Sequence, residues 1–79
     1  MATAKTEDEW GERASAFLKR KLKETEVTYV ELAKRLKRHG FKETEASITN
    51  KLKRGTFSAM FLLACMAALG LEGALLEEI

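Results

Sequence analysis

The segment between Gly55 and Gly70 contains no charged side chain, although 33% of the whole chain is charged. Such a segment can cross a membrane or fill the centre of a folded domain. Once the glycines and the polar Thr56 and Ser58 are set aside, it leaves about eleven helical residues, whereas a membrane-spanning helix needs about 20. Its apolar residues lie on every side of a helix, which is typical of a buried one. The segment therefore predicts a central helix over residues 59–69 and not a membrane anchor.

Start and stop signals delimit this helix and two earlier ones. Ser58 is placed to cap the central helix, and Gly70 to end it. Thr6 begins a first helix that ends near Glu24. Thr28 begins a second helix of about residues 29–39, because Thr6 and Thr28 are each followed three positions later by glutamate, the spacing of a capping box.

Two further helices complete the prediction. A third helix runs from about Glu43 or Glu45 to Arg54, and Gly55 follows it as a stop. A short last helix of about residues 71–78 follows the central one.

Length and composition decide the fold class. At 79 residues the chain is one domain, residues 1–79, of which 1–5 are expected to be disordered. It has no proline and many Ala, Leu, Glu, Lys and Arg residues, the strong helix formers. The sequence therefore predicts an all-α fold, a compact bundle of four to five short helices.

Positive charge is concentrated in the middle of the chain. Residues 19–54 carry twelve of the fourteen Lys and Arg residues but five of the twelve acids, while residues 1–18 and 55–79 are net acidic and the whole chain carries +2. A basic middle between acidic ends suits a polyanionic partner. A plain solvated helix face can have the same composition, so the charge pattern leaves both interpretations open.

Three strings, TYVELAKRL, ITNKLKRG and FSAMFLLACMAALG, resemble the helix-turn-helix domain of the phage-repressor and Xre family. In that family a Thr-capped helix with Leu-Ala precedes a recognition helix ending in Arg-Gly, and a Ser-capped, Leu-rich helix ending in Leu-Gly follows. The matching residues are Thr28, Leu32, Ala33, Leu36, Ile48, Leu52, Arg54, Gly55, Ser58, Leu62, Leu69 and Gly70. The resemblance implies a lambda-repressor-like bundle and a bacterial transcription regulator. The whole chain also resembles members of a small bacterial domain family of unknown function.

Two features depart from the repressor pattern. The second helix of that family usually begins with Gln, which binds a DNA phosphate, whereas Tyr29 stands there in this chain. The connection between the counterparts of Leu36 and Ile48 is also longer here. A longer connection can re-aim the third helix, so phosphate contacts transfer by position more safely than base contacts.

The resemblance implies that the third helix, about residues 43–54, enters the major groove of double-stranded DNA. Its side opposite Ile48 and Leu52 holds small, polar and basic residues, namely Glu43, Ala46, Ser47, Asn50, Lys53 and Arg54. Hydrogen-bonding side chains would contact bases, namely Ser47, Thr49 and Asn50, and Asn50 can bind adenine through two hydrogen bonds. Cations would contact phosphates, namely Lys51, Lys53, Arg54, Lys34, Arg35 and Arg38.

A second interpretation of the same face involves no nucleic acid. Its polar residues can be solvated surface, and its last cations can stabilise the negative end of the helix. Glu43 and Glu45 count against DNA, because carboxylates repel phosphates unless one of them accepts from cytosine.

The chain end suggests an alternative function. Leu75, Leu76 and Ile79 offer more apolar surface than a chain end normally shows, and they would either close the core or contact a second subunit in a homodimer. A protein-interaction or dimerisation module with a solvated basic face is therefore the main alternative to DNA binding. RNA binding is a weaker option, because the aromatic residues look structural and offer no stacking platform.

Other chemistry has little support in the sequence. His39 and Cys65 are the one histidine and the one cysteine, too few for a zinc site and too far apart for a nucleophile pair. We therefore expect no metal, no cofactor, no small-molecule substrate and no catalysis. Residues 1–9 lack the apolar core of a secretory signal, and a cytoplasmic location is expected.

Overall fold

The structure is a computed structural model that describes residues 4–74 and 79. Within this part of the chain the helices are α1 Glu7–Glu24, α2 Tyr29–Lys37, α3 Glu45–Arg54 and α4 Ala59–Ala68. None of the residues so described forms a β-strand. The prediction of an all-α bundle of short helices is confirmed.

Each helix begins after a Thr or Ser whose side-chain oxygen accepts a hydrogen bond from the backbone N–H three residues further on. The donor–acceptor distances are 3.0 or 3.1 Å. The predicted starts after Thr6, Thr28 and Ser58 are confirmed. Helix α3 begins after Thr44, where a return bond from the Thr44 N–H to Ser47 Oγ at 2.8 Å completes a capping box.

Glycines with positive φ follow two of the helices. Gly40 after α2 and Gly70 after α4, the latter a predicted stop, have φ angles of +85° and +75°. The residue after each glycine donates its N–H to the carbonyl oxygen five positions before it, at 3.0 and 2.9 Å. The predicted last turn of the second helix is wrong, however, because α2 ends at Lys37 and residues 38–40 form a turn. Glu26, two residues after the end of α1, has a φ of +57°, a conformation that residues other than glycine rarely adopt.

The core lies where α2 packs against α3 and α4 and where α1 packs against α3. Phe61 lies near its centre, with Phe41 in an edge-to-face contact at 6.4 Å between ring centroids and Phe57 at 5.5 Å. The largest fully buried side chains come from all the helices named above: Phe17, Phe61, Leu18, Leu32, Leu36, Ile48 and Cys65. The inward side predicted for the third helix, Ile48 with Leu52, is thereby confirmed.

Helix α4 is not buried on every side, and this prediction was wrong. Phe61 and Cys65 face the core, but Met60 and Leu63 are 70% and 63% exposed, and Ala67 is exposed as well. A small domain has too few neighbouring elements to cover a helix all round, since chains of this size bury only about 60% of their surface. No helix in the described ranges 4–74 and 79 is long and apolar enough to span a membrane.

A close backbone contact joins α1 to the end of α3. A Cβ atom added to Gly11 would overlap the carbonyl oxygen of Gly55. Gly55 has a φ of +69° and ends α3, as the sequence predicts. The contact fixes the end of α3 relative to α1, and it therefore positions the cations that immediately precede Gly55.

The two chain ends differ from the prediction. Ala4 is buried, although it lies in the segment expected to be disordered. Residues 71–74 are not helical, so the predicted start of a last helix at Leu71 is wrong. Of the predicted dimer contacts, Leu75 and Leu76 lie outside the described residues. Ile79 is partly buried against the core.

Candidate nucleic-acid interface

The outward face of α3 is continuous and mostly polar. Ile48 and Leu52, which are 0% and 2% exposed, attach the helix to the core. The exposed residues recur at one-turn spacing, namely Glu45, Ala46, Thr49, Asn50, Lys53 and Arg54. Within the described part of the chain, the side chains of Asn50, Lys53 and Arg54 form no hydrogen bond or ion pair. The structure thus turns Asn50 and Lys53 toward solvent, in the direction that the helical period predicts.

A buried hydroxyl group holds the end of α3 in place. Ser15 is 5% exposed, and its Oγ donates a hydrogen bond to the carbonyl oxygen of Leu52 at 2.7 Å. The last carbonyls of a helix have no partner within that helix, so this bond satisfies one of them and joins α1 to α3. Sequence reasoning missed Ser15, for which the one available signal is a polar residue on the apolar side of α1.

Glu43 organises a polar cluster immediately before α3. Its side chain is 8% exposed, with Lys51 Nζ 2.5 Å from Oε2 and Ser47 Oγ donating to Oε1 at 2.6 Å. Burial alone would raise the pKa of Glu43, but the hydrogen bonds from Lys51 and Ser47 and the charge of Lys51 outweigh it and leave that pKa below its ordinary value. Glu43 is therefore ionised at neutral pH and neutralised by Lys51.

Lys51 and Ser47, two residues that were predicted to contact DNA, belong to this cluster. Lys51 Nζ also lies 4.6 Å from the centroid of the Phe61 ring, and the Lys51 side chain is only 29% exposed. The Ser47 hydroxyl donates to Glu43 and accepts from the Thr44 N–H. This geometry argues against the predicted phosphate contact by Lys51 and the predicted base contact by Ser47, because both side chains hold the fold together.

The cations of α2 have different surroundings in the structure. Arg35 Nη1 donates to the carbonyl oxygen of Ala68 at 3.1 Å, and Arg35 Nε lies 3.6 Å from Glu31 Oε2. Arg35 thus joins α2 to the end of α4, which argues against its predicted phosphate contact. Lys34 is exposed, and Arg38 lines a cavity of about 460 Å³ between α2 and α4.

Lys19 of α1 lies beside the cations of α3, and sequence reasoning missed it. Lys19, Lys53 and Arg54 line a cavity of about 210 Å³ between α1 and α3. Glu12 lines the same cavity, and the acidic first turn of α1 borders another of about 240 Å³ next to Lys53 and Arg54. Lys19 therefore enlarges the basic surface at the end of α3, and the nearby carboxylates partly offset its positive charge.

The described residues offer no metal site and no ionised thiol. They contain no group of three or more His, Cys, Asp or Glu side chains that could hold a metal ion. Cys65 is fully buried, and burial, with Glu43 nearby, raises its pKa to about 12, so the thiol is protonated at neutral pH. A cavity of about 520 Å³ opens beside Phe41, and its one carboxylate is Glu43, already paired with Lys51.

Comparison with known proteins gives a family and no function. No curated protein and no solved structure matches the chain. The resemblance to phage repressors therefore stays a prediction. One family model, described as "Domain of unknown function (DUF6471)", matches residues 10–74, a range that includes the outward face of α3, the Glu43 cluster and all of α4. Since this match covers most of the sequence, the chain belongs to the DUF6471 family.

Proposed function

We propose that this domain binds double-stranded DNA through the outward face of α3, as a small transcription regulator in the bacterial cytoplasm. The observation that carries the proposal is a row of groups along one side of α3 that form no hydrogen bond or ion pair among the described residues. These are the amide of Asn50 and, one turn later, the cations of Lys53 and Arg54. An amide can bind base edges, and cations beside it can bind phosphates. The proposed activity is binding without catalysis.

The dimensions of α3 agree with this proposal. A helix of ten residues is about 15 Å long at 1.5 Å per residue, and the major groove is about 12 Å wide. With α3 in the groove, Lys53 and Arg54 lie at one end of the helix, where the sugar-phosphate backbone borders the groove. Lys19 lines the cavity beside them and supplies a third cation to the same region.

Titration of labelled duplex DNA at several salt concentrations tests the proposal. The logarithm of the association constant should fall linearly with the logarithm of the salt concentration, with a slope of about −0.9 for each phosphate that is neutralised. Lys53→Ala should make that slope shallower by about 0.9. Lys23→Ala is a matched control, because Lys23 is an exposed lysine of α1 with no proposed contact, and it should leave the slope unchanged.

Two results would count against DNA binding. Absence of binding to any duplex at low salt would exclude it. Equal slopes for the wild type and Lys53→Ala would remove α3 as the contact surface.

A homodimer through α4 is a second candidate, favoured by the exposure of Met60 and Leu63. These residues and Ala67 lie at positions i, i+3 and i+7 and form one apolar stripe on a helix without a charged residue. Two copies of α4 that pack antiparallel would place the large Met60 of one copy opposite the small Ala67 of the other. The stripe replaces the chain end as the proposed dimer surface.

Sedimentation equilibrium of the intact chain tests this second candidate. Covering Met60 and Leu63 removes a modest apolar area, and burial of such a side chain contributes about 1.5–3 kcal/mol, so the dimer should be weak and should dissociate on dilution. A protein that stays monomeric at the highest soluble concentration would exclude it.

A further inference from the structure

The structure leaves few side chains on α3 that can distinguish one base pair from another. Ser47 is engaged by Glu43 and by the Thr44 N–H. Thr49 donates its hydroxyl proton to the carbonyl oxygen of Glu45 at 2.8 Å, so that hydroxyl is left as an acceptor. The Asn50 amide is the polar group on this face whose donor and acceptor both lack partners among the described residues.

Ala46 is the neighbour of Asn50 on the same face, one turn earlier. It is exposed, and its methyl group packs into neither the core nor the cluster around Glu43. Positions four apart on a helix are separated by about 6 Å along the axis, and successive base pairs by about 3.4 Å. A helix in the groove would therefore bring Ala46 and Asn50 to positions about two base pairs apart.

The two side chains prefer the two halves of an A·T pair. The asparagine amide can bind adenine through N6 and N7, and the methyl group of alanine packs against the 5-methyl group of thymine. We propose that Ala46 is a specificity-determining residue, which contacts the methyl group of a thymine about two base pairs from the adenine that Asn50 binds. This inference rests on the proposed DNA binding. It specifies the DNA that is selected as duplexes whose core site contains A·T pairs.

Base analogues test the inference directly. Duplexes that bind the intact chain are first selected from a random-sequence pool, and each thymine of the selected site is then replaced by uracil, which lacks the methyl group. One replacement should weaken wild-type binding about fourfold, the factor that corresponds to one buried methyl group at about 0.8 kcal/mol. The same replacement should leave the binding of Ala46→Gly unchanged, which separates a base contact from the helix-forming tendency of alanine.

A second analogue locates the partner base. Replacing each adenine by 7-deazaadenine removes N7, and one position should weaken wild-type binding without affecting Asn50→Ala. The thymine and adenine found in this way should lie within about three base pairs of each other, given the 6 Å between the two side chains.

The outcomes separate the inference from the proposed function. If no duplex is bound, DNA binding itself fails and the inference falls with it. Two other results would overturn the inference: no single uracil lowers the affinity of the wild type, or uracil weakens binding by the wild type and by Ala46→Gly equally. Ala46 would then not contact a thymine, and the proposed DNA binding would be unaffected.

Discussion

Helices α3 and α4 are alike in construction and opposite in exposed chemistry. Both have ten residues, both begin after a hydroxyl cap, and each is followed by a glycine with positive φ. Each places two large apolar or sulfur-containing side chains in the core, Ile48 with Leu52 and Phe61 with Cys65. Their outward faces differ, since α3 ends in cations and α4 is apolar.

This comparison shows that the features that form a helix are separate from those that form a binding surface. Caps and stops act within a few residues, so they place both helices regardless of what lies outside. The outward face contributes little to the core, and its chemistry is free to serve a partner. We therefore propose a polyanion as the partner of α3 and a second copy of the chain as the partner of α4, and the following changes test that difference.

The largest expected effect comes from Gly11→Ala, which disturbs the support of α3 and leaves α4 alone. Glycine within a helix normally costs about 1 kcal/mol relative to alanine, so propensity alone predicts a more stable protein. The overlap of the new Cβ with the Gly55 carbonyl oxygen predicts the opposite, a loss of about 3 kcal/mol, because a backbone atom cannot move aside cheaply. Urea unfolding, followed by circular dichroism, measures whether the free energy of unfolding rises or falls.

Gly73→Ala is the matched control for this change. A Cβ on Gly73 would meet no atom of the described residues within 4 Å, and Gly73 does not have a positive φ. Its free energy of unfolding should stay within about 0.5 kcal/mol of wild type. A stabilised Gly11→Ala protein would show that α1 and α3 are not in backbone contact.

The same contact shows where prediction from sequence ends. The caps at Thr28 and Ser58 and the direction of Asn50 were predictable, because each depends on neighbours within one or two turns. Gly11 meets Gly55 and Ser15 meets Leu52 across the fold, and no local pattern indicates such pairs. The exposed face of α3 was therefore predictable from the sequence, whereas the contacts that hold α3 in place were not.

Two structural predictions were wrong for related reasons. Glu43 was expected on the outward face of the third helix, whereas it precedes α3 and pairs with Lys51. The phosphate contact of Lys51 stays a prediction, and this pair argues against it. Burial of α4 was overestimated because a helix that is apolar on all sides has no pattern to show which side meets the core. Tertiary packing left Met60 and Leu63 outside.

Glu43→Gln should have the next largest effect, and it should depend on pH. The pKa of folded Glu43 is lowered from its ordinary value of 4.5, so the ionised group stabilises the fold above that pH and loses its contribution as the pH falls through the folded pKa. The variant should therefore be less stable at pH 7, by about 1.5 kcal/mol for a charged hydrogen-bonded pair that is partly exposed. The difference from wild type should shrink progressively below about pH 4.5, as thermal unfolding between pH 7 and pH 3 would show.

Glu45→Gln provides the comparison for this measurement. Glu45 is exposed in the first turn of α3 and forms no ion pair among the described residues, so it contributes about 0.3–1 kcal/mol through the helix dipole. If the two variants follow the same pH dependence with the same loss, the ion pair of Glu43 and Lys51 does not form in solution.

The smallest effect on stability is expected from Leu63→Gln, which makes the outward face of α4 resemble that of α3. Leu63 is 63% exposed, so its replacement should change the free energy of unfolding by no more than about 0.5 kcal/mol. Leu69→Ala, at a position 6% exposed on the same side as the core, should cost about 2–5 kcal/mol. Sedimentation equilibrium should show that Leu63→Gln abolishes self-association while DNA affinity per protomer is kept, because the proposal gives the apolar stripe of α4 and the cationic end of α3 different partners. A Leu63→Gln protein as unstable as Leu69→Ala would instead mean that the outer side of α4 is covered within the monomer, and the contrast between the two helices would be lost.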